Sequence, residues 1–193
     1  MTKVHLQPGL RGLSGGMGDW VYSLRKGKTV LGMKPIKTAE PSEAQVAQQE
    51  RFKDAVSFAK SVLANPTRRA FYAPIAAERE ISIYALAVGD YLSAPYFESM
   101  DLSKYKGQVG DLLTIKGKDD VGMANVEVKI TSQTGSLIER GQAVESGSRS
   151  SIWVYTATAP VALGSSVFIQ VTGTDHADNT ATYSDNPTVG ENE

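Results

Sequence analysis

The spacing of apolar residues changes once along the chain, near Pro95. Between residues 43 and 92 the apolar positions recur every three or four residues, which is typical of amphipathic helices. Beyond Pro95 they alternate with polar positions, most regularly over residues 126–131 and 167–173, which is typical of strands with one buried face. The pattern therefore predicts a helical segment followed by an all-β segment.

Two helices are predicted in the first segment. Ser42 and Gln45 have the spacing of a capping box, so the first helix is expected to span residues 43–64. The second is expected to run from about residue 67 to residue 90, with a break or restart at Pro74. Because each carries one apolar stripe, the two are predicted to pack as an antiparallel pair. The stripe residues are Phe52, Val56, Ala59 and Leu63, then Phe71, Ile75, Ile81, Ala85, Val88 and Leu92.

A β-hairpin is predicted before the helices. Two short alternating runs, residues 20–24 and 29–33, lie on either side of a basic turn that contains Gly27. Residues 1–19 hold five glycines between Gly9 and Gly18, and so many glycines disfavour regular structure. This segment is expected to be an irregular arm that becomes ordered against a neighbouring copy or a partner.

Seven strands are predicted in the second segment, and turn-forming residues separate them. They are expected near residues 96–101, 111–118, 124–132, 136–143, 151–158, 166–174 and 179–184. This number and rhythm of strands is typical of a β-sandwich, with Trp153 as the candidate for its central core aromatic.

The predicted fold class is therefore α+β, with an N-terminal β-hairpin and antiparallel helix pair followed by a C-terminal all-β sandwich. The predicted domains are a glycine-rich arm at 1–19, the hairpin and helices at 20–95, the sandwich at 96–185 and a flexible tail at 186–193.

Composition excludes several kinds of site. The 193 residues contain no cysteine, which excludes disulfides, thiolate metal sites and cysteine nucleophiles. The two histidines, His5 and His176, are not accompanied by a nucleophile elbow, so a serine triad is not expected. We assign no catalytic residue, no cofactor and no metal ligand from the sequence, and expect the protein not to be an enzyme.

The location of the protein is also only partly constrained. No apolar stretch at the N-terminus has signal-peptide length, and none elsewhere is long enough to span a membrane. Synthesis in the cytoplasm is expected, with function in a virion or an extracellular assembly.

Charge is divided unevenly between the two halves. Residues 1–95 contain 13 Lys and Arg against 8 Asp and Glu, which gives +5, whereas residues 96–193 contain 7 against 13, which gives −6. Complementary halves can meet head to tail between copies, and a basic half can contact nucleic acid. Chance scatter over two solvated surfaces explains the asymmetry equally well. The candidate phosphate contacts are Arg11, Arg25, Lys26, Lys28, Lys34, Lys37, Arg68 and Arg69.

Five aspartates of the second half, four of them in predicted turns, permit more than one interpretation; a glycosidase-type carboxylate pair among those four is not favoured. Aspartate is common in turns because its carboxylate accepts bonds from nearby backbone N–H groups, and this interpretation is favoured. The alternative is a calcium site at one end of the sandwich, since several carboxylates suit a hard cation. The residues are Asp101, Asp119, Asp120, Asp175 and Asp178.

The last strands carry a family resemblance. Residues 153–158 (WVYTAT), 169–175 (IQVTGTD) and 178–180 (DNT) resemble the final strands of bacterial Ig-like domains. Gly173 stands where that pattern usually has alanine, and Asp178 stands where it has glycine, although aspartate tolerates left-handed backbone. The resemblance implies an Ig-like sandwich over residues 97–184, a contact module of adhesins, surface proteins and phage virions.

A second resemblance covers the first half. Residues 15–18 (GGMG), 26–30 (KGKTV), 34–35 (KP) and 42–52 (SEAQVAQQERF) together are similar to a family of uncharacterised Bacteroidetes proteins. This resemblance extends over residues 9–60 and implies no activity.

These observations predict a non-enzymatic structural or assembly protein that displays an Ig-like domain. A phage virion component and a bacterial surface or filament subunit are the expected settings, with a homo-oligomer held through the N-terminal half. One alternative is a module that binds a glycan or protein through the sandwich loops; another is a nucleic-acid-binding protein that uses the basic arm. The candidate interface residues are Gly12, Gly15, Gly16, Gly18, Trp20, Arg25, Lys26 and Lys28.

Overall fold

The computed structural model of the chain describes residues 2–3, 14–25, 27–36, 40–147 and 149–190. It divides into two compact units, Met1–Val46 and Ala47–Glu193. Apart from the first four residues of the first helix, the helices lie in the second unit together with the sandwich strands.

The first unit contains a four-stranded antiparallel sheet in the order β1-β4-β3-β2. The predicted hairpin is confirmed: Arg25 pairs with Lys28 across a two-residue turn, where Gly27 has a φ of +73° that favours glycine. Residues 15–17, predicted to be irregular, instead form a strand, because their backbone pairs with the edge of the hairpin. The strands are β1 (Thr2–Lys3), β2 (Gly15–Met17), β3 (Trp20–Arg25) and β4 (Lys28–Met33).

Three helices follow: α1 (Glu43–Ala64), α2 (Pro66–Glu78) and α3 (Ile83–Leu92). The predicted capping box of α1 is present, since the Ser42 N–H donates to Gln45 Oε1 at 2.9 Å and the Gln45 N–H donates to Ser42 Oγ at 3.4 Å.

The predicted break at Pro74 is wrong, because Pro74 lies inside α2. The chain leaves the helix at Arg79, and Glu80 takes a left-handed φ of +54°. Ser82 then caps α3 by accepting a bond from the Ala85 N–H at 3.1 Å. A glycine normally occupies such a left-handed position at a helix end. Because none is present here, the sequence did not predict that the helix ends at this point.

The helices pack around a small core whose buried residues include only Ala59 and Ile75 of the predicted stripes. In α1 the buried residues are Ala55, Ala59 and Val62, whereas Phe52 is 51% exposed. In α3, which is apolar on most sides, hydrophobic periodicity does not select a face, and the buried side is formed by Leu86, Ala87 and Asp90. The helical core consists of Ala59, Val62, Tyr72, Ile75, Ala76, Leu86 and Ala87, together with Val121 from a sandwich loop.

The remaining strands form two antiparallel sheets of four strands each, in the orders β5-β6-β10-β9 and β12-β11-β7-β8. All seven predicted strands are present, and the two-residue strand β9 is additional. The strands are β5 (Tyr96–Asp101), β6 (Leu112–Lys118), β7 (Met123–Ser132), β8 (Leu137–Gln142), β9 (Val144–Glu145), β10 (Ile152–Thr156), β11 (Val167–Asp175) and β12 (Thr180–Asp185).

Both sheets contribute to one hydrophobic core, as expected for a β-sandwich. Strands β7 and β11 pair along their whole length and each turn alternate valine and isoleucine side chains inward. Trp153 lies in this core as predicted, although Tyr105 and Tyr155 are buried more completely. The α+β class is therefore confirmed.

The predicted flexible tail is partly ordered. Val189 is buried in the sandwich core, and its N–H and carbonyl bond to Ser165 and Gly164. Residues 191–193 lie outside the described residues. Within the described parts of the chain, no helix has both the length and the apolar character needed to cross a membrane.

Candidate functional site

The sheet of the first unit has one strongly apolar face. Residues directly opposite each other in an antiparallel pair share a face, and successive residues alternate between faces. Trp20 lies opposite both Met17 and Met33, and Tyr22 lies opposite Leu31. We call this set the apolar face: Met17, Trp20, Tyr22, Leu24, Leu31 and Met33.

The apolar face is accessible to solvent. Trp20 is 46% exposed, Leu24 52% and Met33 67%. Tyr22 and Leu31 are half-buried. Among the described residues from Ser14 onward, the first buried side chain is that of Ala55. Within its described residues, the sheet thus has an apolar surface but no buried side chain.

The opposite face of this sheet is basic at one end. Arg25 and Lys28 are paired directly across the hairpin, with Val21 and Ser23 on the same face. Two cations side by side repel each other, so this end favours an acidic neighbour.

Most of the predicted interface residues lie together in this sheet. Gly15 and Gly16 are in β2, Trp20 and Arg25 bound β3, and Lys28 begins β4. The remaining described candidate is Gly18, in the β2–β3 turn with a φ of +60°. Gly12 and Lys26 lie outside the described residues.

A second feature, in the other unit, is a cluster of three aspartates where α3 meets one end of the sandwich. Asp90 comes from the last turn of α3, Asp119 from the β6–β7 loop and Asp175 from the end of β11. One carboxylate oxygen from each lies within 4.8 Å of the other two. We call this cluster the acidic junction.

Asp90 is completely buried. Its Oδ2 accepts a hydrogen bond from the Tyr72 hydroxyl, whereas no described residue donates a hydrogen bond to its Oδ1. Burial raises the pKa of Asp90 to about 7; the Tyr72 bond opposes this shift, and the charges of Asp119 and Asp175 add to it. The same burial and the same hydrogen bond raise the pKa of Tyr72.

Asp119 has a similar division between its two oxygens. Its Oδ2 caps the β6–β7 loop by accepting bonds from the Val121 N–H at 2.9 Å and the Gly122 N–H at 2.8 Å. Its Oδ1 is buried and has no hydrogen-bond partner in the described part of the chain. Asp119 therefore accepts bonds from the turn backbone, as predicted, but it does so with only one of its two carboxylate oxygens.

Asp175 ends β11 next to a β-bulge. Its Oδ1 accepts bonds from the Ala177 and Asn179 N–H groups, both at 2.8 Å, and its Oδ2 accepts one from Asn179 Nδ2 at 2.8 Å. Burial raises the pKa of Asp175, and these hydrogen bonds oppose the shift.

Asn179 connects the β11–β12 hairpin to the end of α3. Its Nδ2 lies 3.3 Å from each of the carbonyl oxygens of Asp90, Tyr91 and Ser93. The carbonyl groups at a helix C-terminus carry partial negative charge and lack intrahelical partners, so one amide donor stabilises several of them.

Replacing Asn179 with aspartate is expected to reduce the free energy of unfolding by about 2–3 kcal/mol. The substitution exchanges the only side-chain donor that Asn179 offers for an acceptor facing the carbonyls and Asp175. Urea denaturation of the purified chain measures the effect. Asn186→Asp, at an exposed position, adds the same charge and should change stability by less than about 0.5 kcal/mol. Equal effects would contradict the bridging role.

The sequence grouping of five aspartates is only partly correct. Asp119 and Asp175 enter the junction, but Asp101 caps Ser103, Asp120 pairs with Arg79 and Asp178 pairs with Arg68. Asp90 was missed. Its burial could have been predicted from helical spacing, since Asp90 lies four residues after the apolar Leu86 and residues four apart share a helix face.

His176 makes no contact typical of a catalytic base in the described residues. Its ring packs on Phe71 with the ring centroids 3.9 Å apart, and burial lowers its pKa. This aromatic contact is another link between α2 and the β11–β12 hairpin.

An open cleft with a volume of about 490 Å³ adjoins the acidic junction. Asp119 and Asp120 line it together with Arg79, Arg149 and Trp153. Arg79 pairs with Asp120 at 2.9 Å, and Arg149 pairs with Glu78 at 2.9 Å. The cleft therefore gives solvent access to one edge of the junction.

Comparison with known proteins gives little guidance. The sequence matches no family model and no curated protein sequence. Among solved structures, the chain is similar to the crystal structure of CopC from Methylosinus trichosporium OB3b, with 15% sequence identity and a TM-score of 0.38. The match covers 49% of this chain and 91% of that chain. A TM-score this low supports no conclusion about fold or function, so the residues themselves must support any proposal.

Proposed function

We propose that this chain is a non-enzymatic structural protein that assembles with further copies of itself through the apolar face of its N-terminal sheet. The proposal rests on one observation: the N-terminal sheet has four paired strands, yet none of its side chains that the structure describes is buried. The sandwich, which we take to be Ig-like, is the part displayed by the assembly.

A sheet without a core is not expected to be stable alone. Fixing the backbone of each residue costs roughly 1–2 kcal/mol, and burial of apolar surface must offset that cost. Small sheets achieve this by packing one face against another layer. Trp20, Leu24 and Met33 supply the apolar surface, and a covering layer would complete it.

A second copy of the same chain is the partner that fits this surface. Two apolar faces can pack against each other as the layers of a sandwich do, about 10 Å apart. Covering the exposed part of each large side chain contributes about 1 kcal/mol, so a pair of faces supplies enough for association. The basic Arg25–Lys28 end also complements the acidic half of a neighbour, given the +5 and −6 division of charge.

The expected settings are a phage virion and a bacterial surface layer or filament. Both use many identical copies, and both can display a contact module on an assembled base. Symmetric pairing of one face with itself would give closed dimers, whereas contact between the basic and acidic halves would extend the assembly.

Sedimentation velocity over a concentration series tests the proposal. The full chain is expected to show a mass that rises with concentration, and Leu24→Ser is expected to weaken association at least tenfold, which corresponds to about 1.4 kcal/mol. Val21→Ser is the matched control, because Val21 lies on the opposite face. A clean monomer at all concentrations, or equal weakening by the two variants, would refute assembly through the apolar face.

The cleft beside the β6–β7 loop favours one alternative, a module that binds a glycan or protein at this end of the sandwich. Concave sites with polar groups and an aromatic wall suit such ligands, and Trp153 and the two arginines provide them. Arg79→Ala would then remove binding while leaving self-association unchanged. Retention on DNA that disappears with salt would instead support the nucleic-acid alternative.

A further inference from the structure

We propose that the acidic junction is a binding site for a divalent cation of the calcium class, held by Asp90, Asp119 and Asp175. The inference is independent of self-assembly, because all three residues belong to the second unit of one chain. It concerns how the helices are attached to the sandwich.

The geometry suits one ion between three carboxylates. Calcium binds oxygens at 2.3–2.6 Å, so two oxygens on the same ion are at most about 5 Å apart. One oxygen from each aspartate meets that limit, since the three lie within 4.8 Å of one another. Three ionised carboxylates this close repel each other strongly, and a cation bound among them removes that repulsion.

Two carboxylate oxygens at the junction have no hydrogen-bond partner among the residues that the structure describes. Asp90 Oδ1 belongs to a fully buried side chain, and Asp119 Oδ1 is also buried, yet neither accepts a hydrogen bond. Burying a charged oxygen without a partner is costly, and native proteins rarely leave one so. A bound cation would satisfy both atoms at once.

The other oxygens of these side chains are already fixed in place. The Tyr72 hydroxyl holds one oxygen of Asp90, and two backbone N–H groups hold one oxygen of Asp119. Such outer contacts orient ligands at metal sites and leave the opposite oxygen free to bind. The carboxylates are therefore held in position for a ligand, as in a preformed metal site.

The surroundings offer more acceptors than donors. The carbonyls of Asp90, Tyr91 and Ser93 at the C-terminal end of α3, which carries partial negative charge, contact the same Asn179 amide that bonds to Asp175. Arg68 and Arg79 pair with carboxylates outside the cluster, Asp178 and Asp120 respectively. Positive charge at the centre would therefore have to come from solvent.

The donor set selects the class of ion. All of its ligand atoms are carboxylate oxygens, which suit calcium and similar hard cations, whereas zinc and copper favour nitrogen or sulfur. The open cleft reaches Asp119 and provides an entry path for the ion.

Thermal unfolding of the full chain, stripped of metal with EDTA, tests the inference. At a calcium concentration 100 times the Kd, the midpoint should rise by about 5–10 °C relative to sodium chloride of equal ionic strength. Calorimetric titration should show one site per chain. No midpoint shift and no binding heat with calcium would overturn the proposal.

Asp119→Asn provides the decisive variant. It keeps an oxygen for the Val121 and Gly122 N–H groups but removes one of three like charges. We expect it to abolish the calcium shift and to raise the melting temperature of the metal-free protein. Asp178→Asn, which is exposed and outside the cluster, should retain the full shift. Retention of the shift in Asp119→Asn, or its equal loss in both variants, would overturn the assignment.

Discussion

Gly107→Ala is expected to destabilise the protein by about 3–5 kcal/mol, among the largest effects of any single-methyl addition to this chain. Gly107 lies in the β5–β6 loop with a φ of +80°, a conformation that costs an L-residue roughly 1–2 kcal/mol. An added Cβ would also lie 2.5 Å from the Val161 carbonyl oxygen and 2.6 Å from Val189 Cγ1. Because the Val161 N–H bonds to the Gly107 carbonyl at 2.8 Å, the two backbones cannot separate freely.

Gly135→Ala separates the two causes of this loss. Gly135 has nearly the same φ, +83°, but a Cβ there would meet nothing within 4 Å. We expect only the conformational cost of roughly 1–2 kcal/mol at this position. Urea denaturation of both variants measures the difference, and equal losses would show that the segments around Val161 and Val189 adjust to the added methyl group.

Glu139→Ala is expected to reduce the free energy of unfolding by about 3–5 kcal/mol. Glu139 is a buried residue of β8, and its Oε2 accepts bonds from the Tyr155 hydroxyl at 3.0 Å and from the N–H and hydroxyl of Thr158, both at 2.7 Å. The Ala159 N–H contributes a fourth bond at 3.2 Å. The carboxylate thus joins β8 of one sheet to the segment that follows β10 of the other. Its removal leaves several donors without an acceptor.

Two further variants show which property of Glu139 matters. Glu139→Gln keeps an acceptor oxygen and should lose about 1–2 kcal/mol, because the bonds become neutral. Glu127→Ala removes a surface glutamate that pairs with Arg140 at 2.8 Å and should lose less than about 1 kcal/mol. A loss for Glu139→Ala no larger than that for Glu127→Ala would contradict the role of Glu139 in joining the sheets.

Secondary structure was the part of this fold that the sequence predicted best. The alternation in β7 and β11 is regular because both strands lie between a core and a less buried face. The start of α1 was predictable from Ser42 and Gln45, because each side chain bonds to the backbone N–H of the other residue, three positions away. Features that depend on local chemistry were therefore recovered.

Features without a local sequence signal were not predicted. The end of α2 places Glu80 in a left-handed conformation where a glycine is usual, and the Glu80 and Ile81 N–H groups donate to the carbonyls of Ala77 and Ala76. In β8 the polar Glu139 is buried while Leu137 is 59% exposed, the reverse of what hydrophobicity favours. Only the donors from residues 155–159 explain this inversion, and those residues are distant in sequence.

The acidic junction illustrates the same limit. Asp119 and Asp175 look like ordinary turn residues, and each does cap a turn with one oxygen. Asp90 resembles a solvated residue near the end of a helix, yet it is completely buried. Because α3 and the two loops are far apart in sequence, their contact could not be predicted. One signal was present: every second residue of β11 faces the core, and Asp175 occupies the last of these positions.

The two proposals assign different tasks to the two units of the chain. Under the first, the N-terminal sheet associates with other copies through its exposed apolar face. Under the second, a cation bound at the acidic junction stabilises the attachment of the helices to the sandwich. The two proposals rest on different residues, so the failure of one does not affect the other.

Amide hydrogen exchange at a series of protein concentrations tests the central claim most directly, because it locates the surface through which copies associate. Exchange in β3 and β4 should slow as concentration rises, while exchange in the core strands β7 and β11 stays constant. Rates in β3 and β4 that do not depend on concentration would contradict assembly through the apolar face.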